Sequence, residues 1–533
     1  MRLLHLHVLR SRGCNGLLDD VRFTVANRGR SDPLSPVCLV GPNGSGKSQL
    51  LQLVAEIFQS AWHAADGKEE RDDANRHVAF ETIYEIGPDR RRVGLRRRLI
   101  VKGAAPIEMA LDPGLEEWRL VRSDDPIFRT HLPPLVVGYT SGDNETFSLP
   151  FFVSRSGYAD DVSKAALPRS RSKWPAGVAV PDNRLLLIDY TTHLEVLVAN
   201  LLLADARERR SIIAHAGVSD IASFRCVVQL NHSKAPAAPA GAPAHRKGVQ
   251  LTEELETLID DLKRSATCWS YEEDKEIYVL DFLVDEETRK TFHFHFHDAA
   301  RLHRSLHKLA LLNDLAISRS VRERLKKEIE SRRFASRLPE PQDEDKIFRF
   351  EQVTFHSNAE PSIQGPLDYV SLSDGEHQFA QVLGMLSMLR GDDVLFLLDE
   401  PESHFNPQWR LRFTKTITEL PGPARGRQEL LMTTHAPFVP CDLPREQVLI
   451  LERRPEGLTV ELPEMETYGA TFDRILAACF KVRPPISQIA RDEIERLLDS
   501  GTSAEITDAL GRLGPSVERS FLADRQRQLE KPD

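Results

Sequence analysis

The stretch CLVGPNGSGKSQLLQLVAEIF, residues 38–58, decides the fold of this 533-residue chain. An apolar run typical of a buried strand leads into a loop of small residues and then into a helical pattern. The loop contains the pattern G-x-x-x-x-G-K-S, formed by Gly41, Gly46, Lys47 and Ser48. Glycines let successive backbone N–H groups point at one phosphate, and the positive end of the following helix adds attraction. The stretch therefore predicts a phosphate-binding loop between a strand and a helix.

Each position of this loop has an expected role if the anion is a nucleotide. Lys47 would reach the β- and γ-phosphates of ATP, and the hydroxyl of Ser48 would bind Mg²⁺. Further nucleotide contacts are expected from the rest of the loop and from the first turn of the helix, at Asn43, Gly44, Ser45, Gly46 and Gln49. The predicted cofactors are therefore ATP and Mg²⁺.

Hydrolysis also needs an acid that positions the metal ion and a group that orients water. The stretch VLFLLDE, residues 394–400, offers both. The carboxyl ends of parallel strands meet at one edge of a sheet, so this strand should bring Asp399 to the Mg²⁺ and Glu400 to the attacking water. The alternative is a pair of acids that only end a buried strand, and the intact phosphate loop argues against it.

A second anion-binding helix start is predicted at LSDGE, residues 372–376. Ser373 can cap the helix that follows, and Gly375 allows close backbone approach. We place Ser373, Gly375 and Glu376 among the nucleotide-binding residues. Because this turn carries no lysine of its own, it indicates two copies of the chain, each closing the other's site. Taken alone, the turn would favour the alternative of an ordinary capped helix.

The last motif is LLMTTHAPF, residues 430–438, an apolar strand that ends at Thr434 and His435. A histidine at this position can hydrogen-bond the γ-phosphate and report its presence. A histidine without a role at the end of a strand is the alternative. We predict Glu400 and His435 as the catalytic residues, and Ser48 and Asp399 as the ligands of the metal ion.

These four motifs, in this order, resemble the head of ABC-type ATPases, with Walker A, signature, Walker B and switch histidine. The stretch DEPESHFNPQW, which begins at Asp399, resembles the D-loop of OLD- and RecF-like ATPases, relatives of the SMC proteins. The RSRG turn that contains Arg12 is similar to a turn of that group in which an arginine approaches the nucleotide. The resemblance implies an α/β fold of the P-loop ABC type, with a mixed central sheet, an antiparallel β subdomain and a large, mainly helical insertion.

The stretches 138–152 and 467–476 resemble AAA-labelled ABC ATPases of bacterial anti-phage defence and restriction-linked operons, including the ATPase of the Septu system. The resemblance implies a homodimer around ATP, or a higher oligomer of dimers, that regulates a separate nuclease or other effector, such as an HNH nuclease. Nothing after His435 resembles a TOPRIM nuclease domain. Asp374 and Asn406 depart from the signature and D-loop patterns. No position is a clear Q-loop residue; Asn144, Glu145 and Gln49 are the candidates.

The motifs predict a divided ATPase. Lys47 and Ser373 are 326 positions apart, so a whole module lies between them. Residues 1–150 are predicted to form an ATPase lobe with the antiparallel subdomain, and 346–460 the second ATPase lobe. Between them, 151–345 form a mainly helical insertion with a β-hairpin at 276–297 and an Ala/Pro-rich linker at 233–247. Residues 461–533 form a helical tail.

Composition and charge bear on three further properties: nucleic-acid binding, membrane insertion and metal binding. The net charge of −10 argues against nucleic-acid binding by overall charge, although six arginines between Arg90 and Arg98 form a local patch that could contact a phosphate backbone. No run of 18 apolar residues exists, so no membrane span and a cytoplasmic location are expected. The cysteines are scattered, and the histidines of 293–307 lack the partners of a metal site.

Four functions are compatible with these observations to different degrees. The first is an ATP-driven dimerising switch in defence, and the second is a RecF-like DNA repair or maintenance ATPase that binds DNA directly. A scaffold that binds nucleotide without turnover is disfavoured because Asp399, Glu400 and His435 are all present. The long insertion disfavours the energy subunit of a transporter.

Overall fold

A computed structural model describes most of the chain. The described residues are 1–12, 16–25, 33–100, 105–112, 120–142, 145–166, 179–231, 248–332, 338–358, 365–422, 425–455, 457–483 and 486–530. The predicted linker at 233–247 and the Q-loop candidate Asn144 lie outside these residues, as does the side chain of Glu145. Residues 1–468 form one compact unit and residues 469–533 form a second.

The strands of the described residues form three sheets. Their bounds are β1 (Arg2–Arg10), β2 (Val21–Thr24), β3 (Leu34–Val40), β4 (Ala79–Ile86), β5 (Arg91–Arg97), β6 (Ile107–Leu111), β7 (Leu120–Val121), β8 (Val136–Thr140), β9 (Leu185–Ile188), β10 (Val218–Gln229), β11 (Cys268–Glu272), β12 (Ile277–Leu283), β13 (Phe348–Ser357), β14 (Leu367–Asp368), β15 (Leu395–Asp399), β16 (Gln428–Thr433), β17 (Val448–Arg454) and β18 (Gly457–Glu461).

Helices cover these sheets and make up the C-terminal unit. Their bounds are α1 (Lys47–Ala65), α2 (Pro126–Thr130), α3 (Glu145–Ala165), α4 (His193–Leu203), α5 (Ala206–Ile212), α6 (Glu253–Ser265), α7 (Glu286–Phe296), α8 (Ala299–Leu311), α9 (Arg319–Ser331), α10 (Asp374–Met388), α11 (Pro407–Thr418), α12 (Phe438–Cys441), α13 (Phe472–Cys479), α14 (Gln488–Ser500), α15 (Ser503–Arg512) and α16 (Val517–Leu529).

The central sheet has the order β18-β17-β3-β16-β15-β8-β9. The strands from β17 to β9 run parallel, and only β18 is antiparallel to its neighbour. Strands such as β3 and β15 are buried along their whole length, which is why they read as continuous apolar runs. This mixed sheet, together with the antiparallel sheet β2-β1-β4-β5-β6-β7, confirms the predicted α/β class.

Helix α1 lies in the core between these two sheets. Its apolar side chains, including Leu51 and Phe58, share a core with Leu6 of β1, Tyr84 of β4 and Leu397 of β15. A helix enclosed on all sides must also bury polar groups, and those of α1 have partners: Gln52 donates to Glu56, Gln59 to Glu70 and Ser60 to Asp73. The phosphate loop therefore precedes a helix that is held rigidly on both sides.

A third sheet, with the order β11-β12-β10-β13-β14, is antiparallel and comes largely from the middle of the chain. Strand β10 pairs with both β12 and β13, and β13 lies more than a hundred residues further along the chain. The predicted boundaries cut across the sheets, because β9 from the 151–345 region belongs to the central sheet and β13 from the 346–460 region belongs to the third sheet.

The predicted β-hairpin at 276–297 is wrong in its second half. Strand β12 is present, but the stretch KTFHFHF lies in helix α7, which Asp285 caps by accepting a hydrogen bond from the backbone N–H of Thr288. Phe292 and Phe296 are buried and Phe294 is exposed. Positions four apart share a face in a strand and in a helix alike, so the alternation did not distinguish them. The hairpin that does form joins β11 to β12.

The sequence patterns of residues 183–210 and of about 299–333 each predict one helix, and the structure corrects both predictions in part. Residues 183–210, which have a helical pattern, begin with strand β9 before α4 starts at His193. The long helix expected over about 299–333 is divided into α8 and α9 by a 3-10 turn at Leu312–Ala316.

The second unit, residues 469–533, contains α13 to α16. Its small core consists of Leu497, Ile506, Ala509 and Leu522, contributed by α14, α15 and α16. None of the helices in the described part of the chain combines the length and the apolar character that crossing a bilayer requires.

Candidate active site

Three adjacent parallel strands end at one edge of the central sheet and bring the predicted motifs together. Strand β3 leads into the phosphate loop, β15 ends at Asp399, and β16 ends at Thr433. Thr433 pairs in register with Leu39, and Asp399 pairs with Thr140 of β8. The carboxyl edge of a parallel sheet is where such folds bind ligands.

The phosphate loop needs glycine where it turns out of β3. Gly41 has a φ of 144°, and a Cβ added there would lie 2.3 Å from the backbone oxygen of Leu451. No other residue fits this position without moving the neighbouring strand. The remaining predicted positions follow in order, with Asn43 and Gly44 exposed, Ser45 and Gly46 buried, and Ser48 and Gln49 half-buried.

Lys47 is folded back into its own loop. Its Nζ donates to the carbonyl of Gly41 at 3.0 Å and to that of Pro42 at 3.2 Å. Burial lowers the pKa of Lys47 to about 8, although the carboxylates of Glu400 and Asp399 act in the opposite direction. A bound triphosphate can offer this cation stronger acceptors than two carbonyls.

A chain of hydrogen bonds joins the loop to the ends of β15 and β16. The hydroxyl of Ser48 donates to Oδ1 of Asp399 at 2.8 Å, and the hydroxyl of Thr433 donates to the same oxygen at 2.8 Å. The backbone N–H of Glu400 donates to Thr433 Oγ1 at 3.0 Å. A carboxylate and two hydroxyls in one place are the hard oxygen donors that Mg²⁺ prefers, so these residues fit the metal.

Glu400 faces the switch histidine. Nε2 of His435 lies 3.1 Å from Oε1 of Glu400, and both side chains are partly exposed. This hydrogen bond is the main reason that the pKa of Glu400 is lowered, and Lys47 adds to the effect. Glu400 therefore stays a carboxylate at neutral pH, as a group that accepts a proton or orients water must.

The signature turn has the geometry of a capped helix with an open outer surface. The backbone N–H and hydroxyl of Ser373 both donate to Oε2 of Glu376 at 2.7 Å, and the backbone N–H of Glu376 donates to Ser373 Oγ at 3.4 Å. Gly375 is buried, and a Cβ there would lie 2.8 Å from the backbone oxygen of His404. Ser373 is exposed, so its hydroxyl is accessible to a partner.

Three site residues were missed by sequence reasoning: Thr433, Glu402 and Gln378. The buried carboxylate of Glu402 accepts a hydrogen bond from the hydroxyl of Thr434, and burial raises its pKa to about 7. Gln378 contacts the 400–404 segment. Two consecutive threonines at the end of a buried strand could have indicated Thr433 from the sequence. The sequence around Gln378, in contrast, does not indicate which residues it contacts.

Arg12 follows β1 and is exposed, with a φ of 54°. The turn at residues 16–20 approaches the phosphate loop, since a Cβ on Gly46 would lie 3.2 Å from Leu17 and 3.5 Å from Leu18. A role for Arg12 stays a prediction. Strand β8 ends at Thr140, opposite Asp399, so the segment that follows β8 begins at the edge of the site.

The arginine patch is largely neutralised within the chain. Five of its arginines lie within 4.0 Å of a carboxylate, in the pairs Arg91–Asp112, Arg92–Glu85, Arg96–Glu108, Arg98–Glu108 and Arg97–Asp73. Arg97 is also buried. Arginines that are already paired give weaker support to a contact with a phosphate backbone.

Comparison with known proteins bears on the class of this site. Residues 258–442 match a family described as "AAA domain, putative AbiEii toxin, Type IV TA system". The match covers about a third of the chain and includes the signature turn, Asp399, Glu400 and His435. Residues 258–442 are therefore similar to an AAA-type domain. The loop between β3 and α1 lies outside that match and has the strand–loop–helix form of a P-loop.

Two curated proteins match parts of the chain. The mycobactin import ATP-binding/permease protein IrtB of Mycolicibacterium smegmatis is 28% identical over 211 residues, which are 38% of this chain and 32% of that protein. Protein ea59 of Escherichia phage lambda is 24% identical over 117 residues, which are 22% of this chain and 21% of that protein. The chain thus spans about a third and a fifth of these relatives.

Solved structures of SMC heads are also similar. The SMC head domain from Thermotoga maritima is 11% identical, with a TM-score of 0.31 over 87% of this chain and 100% of that chain. The SMC head bound to the C-winged helix domain of ScpA is 11% identical, with a TM-score of 0.33 over 86% of this chain and 97% of that chain.

Proposed function

We propose that this protein is an ATPase that binds MgATP at the edge formed by β3, β15 and β16 and hydrolyses it. The observation that carries the proposal is the hydrogen-bond chain from Ser48 through Asp399 and Thr433 to the backbone of Glu400. This chain places the predicted metal ligands next to the predicted base. Mg²⁺, when bound, neutralises phosphate charge.

Each residue of the proposed ATP site has a separate role. Lys47 exchanges its two carbonyl acceptors for the phosphates. Ser48 and Asp399 supply oxygen ligands for the metal ion. Glu400, kept ionised beside His435, orients the attacking water, and His435 turns from Glu400 toward the γ-phosphate when nucleotide is present. Both side chains are partly exposed, which leaves room for this exchange.

We further propose that two copies of the chain close head to head around ATP. The exposed Ser373 and the helix start behind it would complete the other copy's site, because the N-terminal N–H groups of α10 favour an anion. The capping box pre-forms this turn, so little ordering is needed on closure.

The function proposed for this dimer is regulation in bacterial anti-phage defence. ATP-driven closure would move the insertion, and this movement would change the activity of a separate effector such as a nuclease. The support is the motif resemblance and the matched family's description, which names a putative toxin of a toxin–antitoxin system.

Glu400→Gln tests the enzymatic part. The variant keeps the side chain's size but cannot accept a proton, so turnover is expected to fall by about a hundredfold or more while ATP binding persists. Trapped ATP should strengthen ATP-dependent self-association, measured by light scattering at matched concentrations. A Glu400→Gln variant with wild-type turnover would show that Glu400 takes no part in the reaction. Separately, stimulation of wild-type ATP hydrolysis by duplex DNA would favour the RecF-like alternative.

A further inference from the structure

Gln378 lies where the signature helix meets the catalytic turn. It is in the second turn of α10 and is 3% exposed. Its Nε2 donates to the backbone carbonyl of Glu400 at 3.1 Å and to Oγ of Ser403 at 3.1 Å. Its Oε1 accepts a hydrogen bond from the backbone N–H of His404 at 2.9 Å. All three hydrogen bonds go to residues 400–404, which we call the catalytic turn.

The hydrogen-bond network continues beyond the catalytic turn. The hydroxyl of Ser403 donates to Oγ of Ser141 at 2.9 Å. Ser141 directly follows β8, whose last residue pairs with Asp399. Gln378 therefore connects α10, through the catalytic turn, to the loop that enters the site from β8.

The backbone conformation of Glu400 explains why it needs hydrogen bonds that hold it in place. Glu400 has a φ of 50°, in the left-handed region that non-glycine residues avoid. A strained conformation persists only when its surroundings hold it. Thr433 holds the N–H of Glu400 at 3.0 Å and Gln378 holds its carbonyl at 3.1 Å, so the peptide groups on both sides of the strained position are fixed.

We propose that Gln378 is a positioning residue that holds Glu400 in this conformation and makes the signature turn and the catalytic carboxylate move as one body. The inference rests on the proposed ATPase function. When another copy's nucleotide engages Ser373, the displacement of α10 reaches Glu400 through the amide of Gln378. The close packing of Gly375 against His404 adds a second, steric contact between the same two elements.

Gln378→Met tests the proposal, because methionine keeps the length of the side chain and removes the hydrogen bonds. The matched control is Gln381→Met, on the same buried helix, where the glutamine accepts a hydrogen bond from the hydroxyl of Tyr139 at 3.2 Å and does not contact the catalytic turn. We expect Gln378→Met to lower kcat by about ten- to a hundredfold, as misplacement of a reacting group does. KM and the Kd for ATP should change less than about twofold, because the phosphate loop is untouched. Gln381→Met should leave kcat within about twofold of the wild type.

A double-mutant cycle separates positioning from loss of stability. Ser403→Ala removes one acceptor of the Gln378 amide, so its effect on kcat should be smaller in the Gln378→Met background than in the wild type. With Gln381→Met the effects should multiply. Equal kcat values for Gln378→Met and Gln381→Met, or a loss confined to KM, would overturn the inference while leaving the ATPase proposal intact. A wild-type protein without Mg²⁺-dependent ATP turnover would instead overturn the proposed function itself.

Discussion

At the scale of single residues, one hydroxyl organises the candidate site. Thr433 donates to Asp399 and accepts from the backbone N–H of Glu400, so it uses both of its hydrogen-bonding capacities. It lies at the end of β16 with no exposed surface. The predicted site residues therefore depend on Thr433, a neighbour for which the sequence predicted no role.

Thr433→Val removes this hydroxyl without changing the shape of the side chain. The variant leaves the N–H of Glu400 without its acceptor, which should cost about 1–3 kcal/mol of unfolding free energy. Turnover and the apparent affinity for Mg²⁺ should both fall. Thr433→Ser is the control, since it keeps the hydroxyl. Steady-state kinetics and chemical denaturation measure the two effects, and a valine variant with the kinetics of the serine variant would contradict this role.

The pKa of Lys47 predicts how nucleotide affinity depends on pH. Because the pKa is lowered to about 8 by burial, the free protein loses the ammonium charge as the pH rises through that value. Bound phosphates favour the charged form, so binding takes up a proton above this pH and affinity falls, by up to about tenfold per pH unit. ATP titrations between about pH 7.5 and 9.5 measure this slope.

Lys47→Arg is the control for that titration. A guanidinium keeps its charge over the whole range, so the weaker affinity of this variant should not depend on pH. A wild-type affinity that stays constant up to about pH 9.5 would mean that Lys47 does not titrate near 8 in the nucleotide-free protein.

At the scale of elements, the local sequence pattern predicts a strand or helix correctly where loop or capping residues mark its end. The strand–loop–helix around Lys47 and the cap at Ser373 are both of this kind, and both form as predicted. The FHFHF stretch was misread because its buried phenylalanines are one helical turn apart. Strand β9 has four apolar residues, too few to show a period. The pairing of β10 with β13 depends on contacts distant in sequence, which no local pattern contains.

The same scale gives a prediction for the contact between α10 and the catalytic turn. Gly375→Ala places a methyl group 2.8 Å from the backbone oxygen of His404, so one of the two elements must move. Turnover and ATP-dependent association should fall while ATP binding stays near the wild-type value. Gly511→Ala is the control, because a Cβ at this helical position meets nothing within 4 Å. An alanine at 375 with unchanged turnover would show that the close approach is dispensable.

At the scale of the whole molecule, the insertion is not a separate body. Residues 1–468 form one compact unit, and α9 packs on residues outside the insertion through both apolar and charged contacts. Arg332, just after α9, lies 2.6 Å from the carboxylate of Glu56 on α1, the helix that begins at Lys47. Lys326 of α9 lies 2.9 Å from Asp72. These ion pairs connect the insertion to the helix that begins at Lys47 and to the segment that follows that helix.

The central claim is that a second copy's Ser373 completes the site of Lys47, and a mixing experiment tests it directly. Lys47→Ala destroys the phosphate loop, and Ser373→Arg blocks the signature turn, so each variant alone should be inactive. In a mixed dimer one site combines the intact Lys47 of one copy with the intact Ser373 of the other. We predict that mixing equal amounts restores ATP turnover to about a quarter of the wild-type rate, since half of the dimers carry one working site of two. A mixture no more active than its two components, at a concentration where wild-type dimers form and hydrolyse ATP, would contradict the claim.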